Sequence, residues 1–256
     1  MANYLDIQAR LGGEYIHPGA RDMTEVLLNR VQLRPADRVL EIGGGTGATA
    51  ALLAQRTNAR VSLLERSSLM LNAARARLGA DALLTQVTPT QADANFAWPF
   101  ADARFDLVYA ESVVALLEVQ HVLAEAVRVL RPGGRLIINE RVWKTAATQA
   151  EVDHVNALSR QVYGIPAATA QALDGKAWLQ LMRDAELIEV SAEPVVDLLP
   201  AQRWRAPQAR RLQRLRHYVR HPDLLWQVWY AKRQNRRYGA LFTNLESFFF
   251  SARKPA

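Results

Sequence analysis

Residues 38–48 read RVLEIGGGTGA. Val39, Leu40 and Ile42 form a short apolar run that meets Gly43, Gly44, Gly45 and Gly47 almost at once. A buried strand ending in a tight bend fits the first half, and an alanine-rich helix over Ala48–Gln55 fits the second. The same rhythm continues outward. Arg60–Leu64 reads as a strand and Leu69–Leu78 as a helix, then Leu83–Val87 and Phe105–Tyr109 as strands. Val122–Leu130 is an amphipathic helix stopped by Pro132, Gly133 and Gly134, and Arg135–Asn139 is a fifth strand. Alternation with short connections predicts an α/β domain, a doubly wound parallel sheet covered on both faces. Val26, Leu27 and Val31 mark one helix upstream, behind a loop at Gly12–Gly19. Downstream, Glu151–Val162 and Lys176–Ala185 read as helices and Ile188–Leu198 and Phe248–Ala252 as strands. The arginine-rich stretch 201–237 between those strands reads as two helices broken at Pro222.

Half of the 256 residues are hydrophobic and 22% are charged, so disorder and fibrous repeats are excluded. No apolar run approaches the roughly 18–20 residues of a membrane helix, and the first residues lack a basic-then-apolar leader. A soluble, cytoplasmic protein is the expectation. With no cysteine, disulfides, thiolate metal sites and a cysteine nucleophile are excluded, and no metal is expected. The net charge of +7 is local: residues 201–240 hold ten arginines and Lys232 against Asp223 alone, which leaves the remainder slightly acidic.

The glycine bend admits two ligands. Read as G-x-G-x-x-A from Gly43 to Ala48, it resembles a dinucleotide fingerprint. Read as Glu41-x-Gly43-x-Gly45-x-Gly47, it suits S-adenosylmethionine. Charge separates the two. A diphosphate is disfavoured beside a carboxylate two residues before the turn, whereas an ammonium and a sulfonium are welcome there. The ligand's own carboxylate can still use the helix N-terminus near Thr46 and Gly47. Glu65 ends the second strand 22 residues after Gly43 and suits the ribose hydroxyls, a contact that a dinucleotide would also want. Asp93 suits the adenine amino group.

VLEIGGGTG (39–47), LLERSSLML (63–71), QADANFAWPFADARFDLVYAES (91–112) and AEAVRVLRPGGRLIINE (124–140) together resemble the successive motifs of class I S-adenosylmethionine-dependent methyltransferases. The subgroup with ubiquinone- and menaquinone-biosynthesis and many small-molecule enzymes is the most similar. The resemblance covers about residues 33–145, and FFFSARKP (248–255) is similar to that family's antiparallel last strand. It implies a Rossmann-like, seven-stranded, mostly parallel sheet with helical insertions. Residues 1–32 would form an N-terminal helical lid and 33–145 the cofactor-binding core. Residues 146–256 would complete the same domain, with insertions at about 146–175 and 199–240. It also implies that Glu41, Gly43, Gly45, Gly47, Glu65, Met70, Asp93, Ala94 and Glu111 surround the cofactor, and that Asp106 and Arg128 are structural. Glu65 where aspartate is commoner, and Gly44 where cysteine or serine is frequent, are small departures.

The implied reaction moves a methyl group to a small-molecule acceptor by in-line displacement, for which alignment alone supplies roughly 7–11 kcal/mol. A base is optional; His17 is the first candidate, followed by Tyr15 and His154. Trp143, Trp178, Trp204, Trp226 and Trp229 point to an aromatic or lipophilic acceptor. The basic 201–240 segment admits several readings: a solvated helix face, a substrate lid, a homodimer contact, or a surface for anionic membrane or RNA. Nucleic acid is disfavoured, because the Asn/Asp-Pro-Pro-Tyr/Phe turn of amino-group methylases is replaced by Tyr109-Ala110-Glu111-Ser112.

Overall fold

The computed structural model describes residues 4–10, 13–17, 19–171, 173–199, 225, 226, 229, 233 and 243–256. Its elements run α1 (Tyr4–Arg10), α2 (Ala20–Val31), β1 (Arg38–Ile42), α3 (Ala48–Thr57), β2 (Arg60–Glu65), α4 (Ser68–Ala80), β3 (Val87–Gln91) and β4 (Phe105–Glu111). A 3-10 turn (Val114–Leu116) leads to α5 (Val119–Val129), β5 (Leu130–Trp143), α6 (Gln149–Tyr163), α7 (Gly175–Asp184), β6 (Ile188–Pro194), α8 (Val195–Leu198) and β7 (Leu245–Arg253). The strands form one sheet in the order β3-β2-β1-β4-β5-β7-β6. β7 is antiparallel to both of its neighbours; the other pairs are parallel.

Strand parity sorts the core into two layers, because successive side chains leave opposite faces. Val39, Val61, Leu63, Leu107, Tyr109 and Ile137 face α2, α3 and α4. Leu40, Ile42, Val108, Ala110, Leu136 and Ile138 face α5 and α7. A third, smaller cluster joins Trp143 to Val152 and Val155 of α6. Helix starts are chemically marked. Thr148 and Glu151 form a reciprocal capping box on α6, and Asp174 accepts the Ala177 N–H on α7.

Several boundaries differ from the sequence reading. Leu83 belongs to the turn after α4, donating its N–H to Leu78 O at 2.8 Å, and the third strand instead spans Val87–Gln91. That strand contains Pro89, which an edge position tolerates. β5 is longer than Arg135–Asn139 at both ends, because β4 pairs with it from Leu130 and β7 as far as Trp143. β6 stops at Pro194, and Val195–Leu198 is a helical turn. The N-terminal region carries a second helix, α1, whose Ile7 and Ala9 are buried. Of the two helices read over 201–237, only residues 225, 226, 229 and 233 are described; the others lie outside the described residues. No described helix is long and apolar enough to cross a membrane.

Trp143 and Trp178 are core residues and do not line an acceptor pocket. Trp143 donates its indole N–H to Thr169 O at 2.9 Å, and Trp178 stacks on Phe250 with centroids 5.5 Å apart. The arginine and aspartate read as structural are so. Asp106 accepts the Arg38 N–H at 2.8 Å and pairs with Arg131. Arg128 donates to Phe100 O at 2.8 Å and to Trp98 O at 3.2 Å while forking onto Glu125.

Candidate functional site

The carboxyl ends of β1 to β5 open into a cavity of about 1380 Å³, at the point where the chain order reverses between β1 and β4. Parity decides what reaches it. Glu41, Glu65, Glu111 and Asn139 stand two residues beyond Val39, Leu63, Tyr109 and Ile137, so all four leave the α2–α3–α4 face. Register places Glu41 beside Tyr109 and Glu111 beside Asn139. The strands end in acids where the apolar layer stops.

Glu41 is 5% exposed, yet it lines the cavity with its Oε2 unpaired. Burial first, then the Glu111 charge, raise its carboxyl well above the ordinary range. Burial and the Glu41 charge likewise push up the Tyr109 phenol. Glu65 bridges the first two turns, accepting the Gly45 N–H at 3.0 Å and the Ser67 N–H at 2.8 Å. Asp93 accepts the Asn95 N–H at 3.0 Å. Both carboxylates keep further acceptor positions on the wall.

The glycines of the bend divide by task. Gly43, Gly45 and Gly47 have left-handed φ of 66°, 53° and 72°. A Cβ on Gly43 would meet Val113 Cγ2 at 2.6 Å, and one on Gly44 would strike Leu63. At Gly45 a Cβ would meet nothing nearer than Gly43 O at 4.0 Å, so it would project into the cavity. Gly47 lies behind the wall, against Ala74 and Leu63, and starts α3.

The segment 13–17 closes one side. Thr46 Oγ1 donates to Gly13 O, Arg77 pairs with Glu14, and Arg77 Nε donates to Thr46 O at 2.9 Å. His17 Nε2 lies 3.3 Å from Glu111 Oε2 and 3.5 Å from Thr24 Oγ1. Asn139 Nδ2 lies 3.3 Å from His17 Nδ1 and 3.5 Å from Glu111 Oε1. Thr49 also donates to Glu111 Oε2, at 3.1 Å. Both ring nitrogens are therefore engaged, and His17 here is a clasp.

Of the residues singled out from sequence, Tyr15, His17, Glu41, Gly43, Gly45, Glu65, Met70, Asp93, Ala94 and Glu111 line this one cavity. Tyr15 sits edge-on to His17, with ring centroids 6.2 Å apart and a left-handed φ of 51°. His154 does not join them; the buried stripe of α6 is Val152, Val155, Asn156 and Ser159, which turns His154 out to solvent. Sequence reasoning passed over Asn139, Thr24, Thr49 and Glu140. Asn139 and Glu140 follow the apolar run of β5 as Glu111 follows that of β4, a parity signal present in the sequence.

A methyltransferase-domain family matches residues 39–134. The 27-O-demethylrifamycin SV methyltransferase of Amycolatopsis mediterranei is 30% identical over 63% of this chain and 65% of its own length. A ubiquinone/menaquinone biosynthesis C-methyltransferase of Dinoroseobacter shibae is 36% identical over 55% of each chain. Among solved structures, a phosphoethanolamine N-methyltransferase of Haemonchus contortus superposes with a TM-score of 0.72 at 17% identity. That superposition covers 99% of this chain and 57% of the other. The chain spans between 43% and 65% of the length of the first curated relatives it matches. The matched segment begins on the strand that carries Glu41 and takes in the glycine bend and the acids of β2 and β4, so this stretch of the chain is similar to a methyltransferase domain.

Proposed function

We propose that this protein transfers a methyl group from S-adenosylmethionine to a small, lipophilic acceptor. The observation that carries this reading is Glu41: a buried carboxyl on the cavity wall with one oxygen unpaired, close enough to Glu65 and Glu111 for their charges to raise its pKa. Such a group asks for a cation, and a diphosphate would worsen its surroundings.

The residues fit the cofactor. Gly45 leaves space where a side chain would intrude, Glu65 and Asp93 offer acceptors to ribose and adenine, and Met70 and Ala94 supply apolar wall. When bound, S-adenosylmethionine supplies a methyl group on a positively charged sulfur that leaves as a neutral thioether. Around it, Glu41 balances positive charge, and the 13–17 segment keeps water out. Glu111 meets His17 Nε2 and so fastens that segment to β4. Leu116, Leu117, Ile165 and Leu245 form an aliphatic wall that suits an apolar acceptor. The names of the relatives, a rifamycin and a quinone-pathway methyltransferase, support a lipophilic substrate class.

Calorimetric titration with S-adenosylmethionine, S-adenosylhomocysteine and NAD tests this. Micromolar binding of the first two is expected, weakened about 10- to 100-fold by Glu65→Ala. NAD binding as tightly as either would overturn the reading.

A further inference from the structure

The far face of β5 carries a group that the cofactor side does not use. Asn139 joins His17 and Glu111 on one face; Glu140, the next residue, leaves the other, towards Val114 and Ala115. Glu140 is 2% exposed and still forms part of the cavity wall. Its Oε2 accepts the Ala115 N–H at 3.1 Å and its Oε1 the Arg141 N–H at 2.9 Å, with the Val113 N–H also directed to it. A carboxylate has about four acceptor positions, so three backbone donors leave one available. Among the described residues no ion pair reaches it, and the Arg141 side chain stands in solvent. Burial raises its carboxyl to about 7.

Leu116 and Leu117 at the end of the 3-10 turn, Ile165 after α6 and Leu245 at the start of β7 supply apolar wall, alongside Ser159, Tyr163 and Ser247. A buried carboxylate acceptor on the cavity wall is a specificity element, since a ligand that fails to donate to it leaves an acceptor position unsatisfied. His17 does not compete for this task, because both its nitrogens are engaged.

We propose that Glu140 selects the methyl acceptor by taking a hydrogen bond from a hydroxyl carried on an apolar body. This deepens, and rests on, the methyltransferase reading. A hydroxyl suits the position better than an alkylammonium. The carboxylate would hold an ammonium in its protonated form, with no lone pair to attack, whereas a hydroxyl gains electron density on oxygen by donating.

The test uses 2-naphthol and 2-methoxynaphthalene, which share an apolar body and differ in the donor. Each is titrated calorimetrically into the full chain, with and without S-adenosylhomocysteine. Naphthol is expected to bind at least about 10-fold more tightly than its ether. Glu140→Gln should bring the two within about two-fold, and Glu140→Asp, which keeps the charge, should retain a preference. S-adenosylhomocysteine affinity should be the same in all three proteins. Equal binding or no binding of the two probes to the natural protein overturns the proposal, whether or not the variants fold. So does an undiminished preference in Glu140→Gln. Failure of the methyltransferase reading appears separately, as absent S-adenosylhomocysteine binding.

Discussion

His17 and Glu111 meet at 3.3 Å although they come from opposite sides of the cavity, one from the N-terminal segment and one from the end of β4. Their side chains are 5% and 9% exposed, so little water competes for the contact. The N-terminal segment is thereby fastened to the end of β4.

Breaking that fastening should loosen ligand binding more than the fold. A charged hydrogen bond is worth roughly 1.5–3 kcal/mol, so His17→Ala should weaken S-adenosylhomocysteine binding by about 10- to 100-fold. Hydrogen exchange of residues 13–17 should quicken while that of β1 and β4 stays slow. Unchanged exchange in the segment would show that His17 does not hold it.

The bend glycines should separate in a pair of measurements. Gly44→Ala drives a methyl group into Leu63 and should lower the melting temperature by several degrees, as overpacking of about 1–3 kcal/mol does. Gly45→Ala faces open space and carries only the strain of its positive φ, roughly 1–2 kcal/mol. Its main expected effect is loss of cofactor binding, read by calorimetry, because the methyl group enters the cradle.

Glu140 gives stability a pH dependence of defined sign. Its folded pKa, about 7, lies above the unfolded value near 4.5, so the folded chain holds the proton more tightly. The associated stabilisation is complete below about pH 4.5 and is lost as pH rises to about 7. The difference is about 3 kcal/mol. Urea titrations across that window should show the loss in the natural protein, and Glu140→Gln should remove it from the slope. Arg141 is the charged neighbour that partly offsets the effect.

Arg128 should behave as a structural fork. It serves two backbone carbonyls, Glu125 and Asp102 from one guanidinium. Arg128→Met should cost about 2–3 kcal/mol in chemical denaturation. Arg128→Lys should recover less than half of it, because a single ammonium cannot span the same partners.

The parallel half of the fold was legible because its signals are local. β1 spans the residues read for it, and the acids at strand ends announce themselves as charge after an apolar run. The antiparallel partner of β5 needed the family resemblance, since the Phe248–Ala252 run does not say which strand it will meet. The His17 clasp was less accessible. Thr24, Thr49 and Asn139 are unremarkable in sequence and acquire meaning only when α2, α3 and β5 converge on Glu111. Trp143 and Trp178 misled in the opposite direction, because large aromatic side chains past the fifth strand suit a substrate pocket and a core equally well.

β7 lies between β5 and β6, although the ribosome makes both neighbours first. Until Leu245–Arg253 emerges, β5 exposes an unpaired edge through nine registered positions, and β6 has nothing to join. A nascent chain is thus exposed to misassembly until this strand has been made. A stop codon that removes this strand would strip the sheet of its keystone while leaving every residue of the cofactor cradle translated.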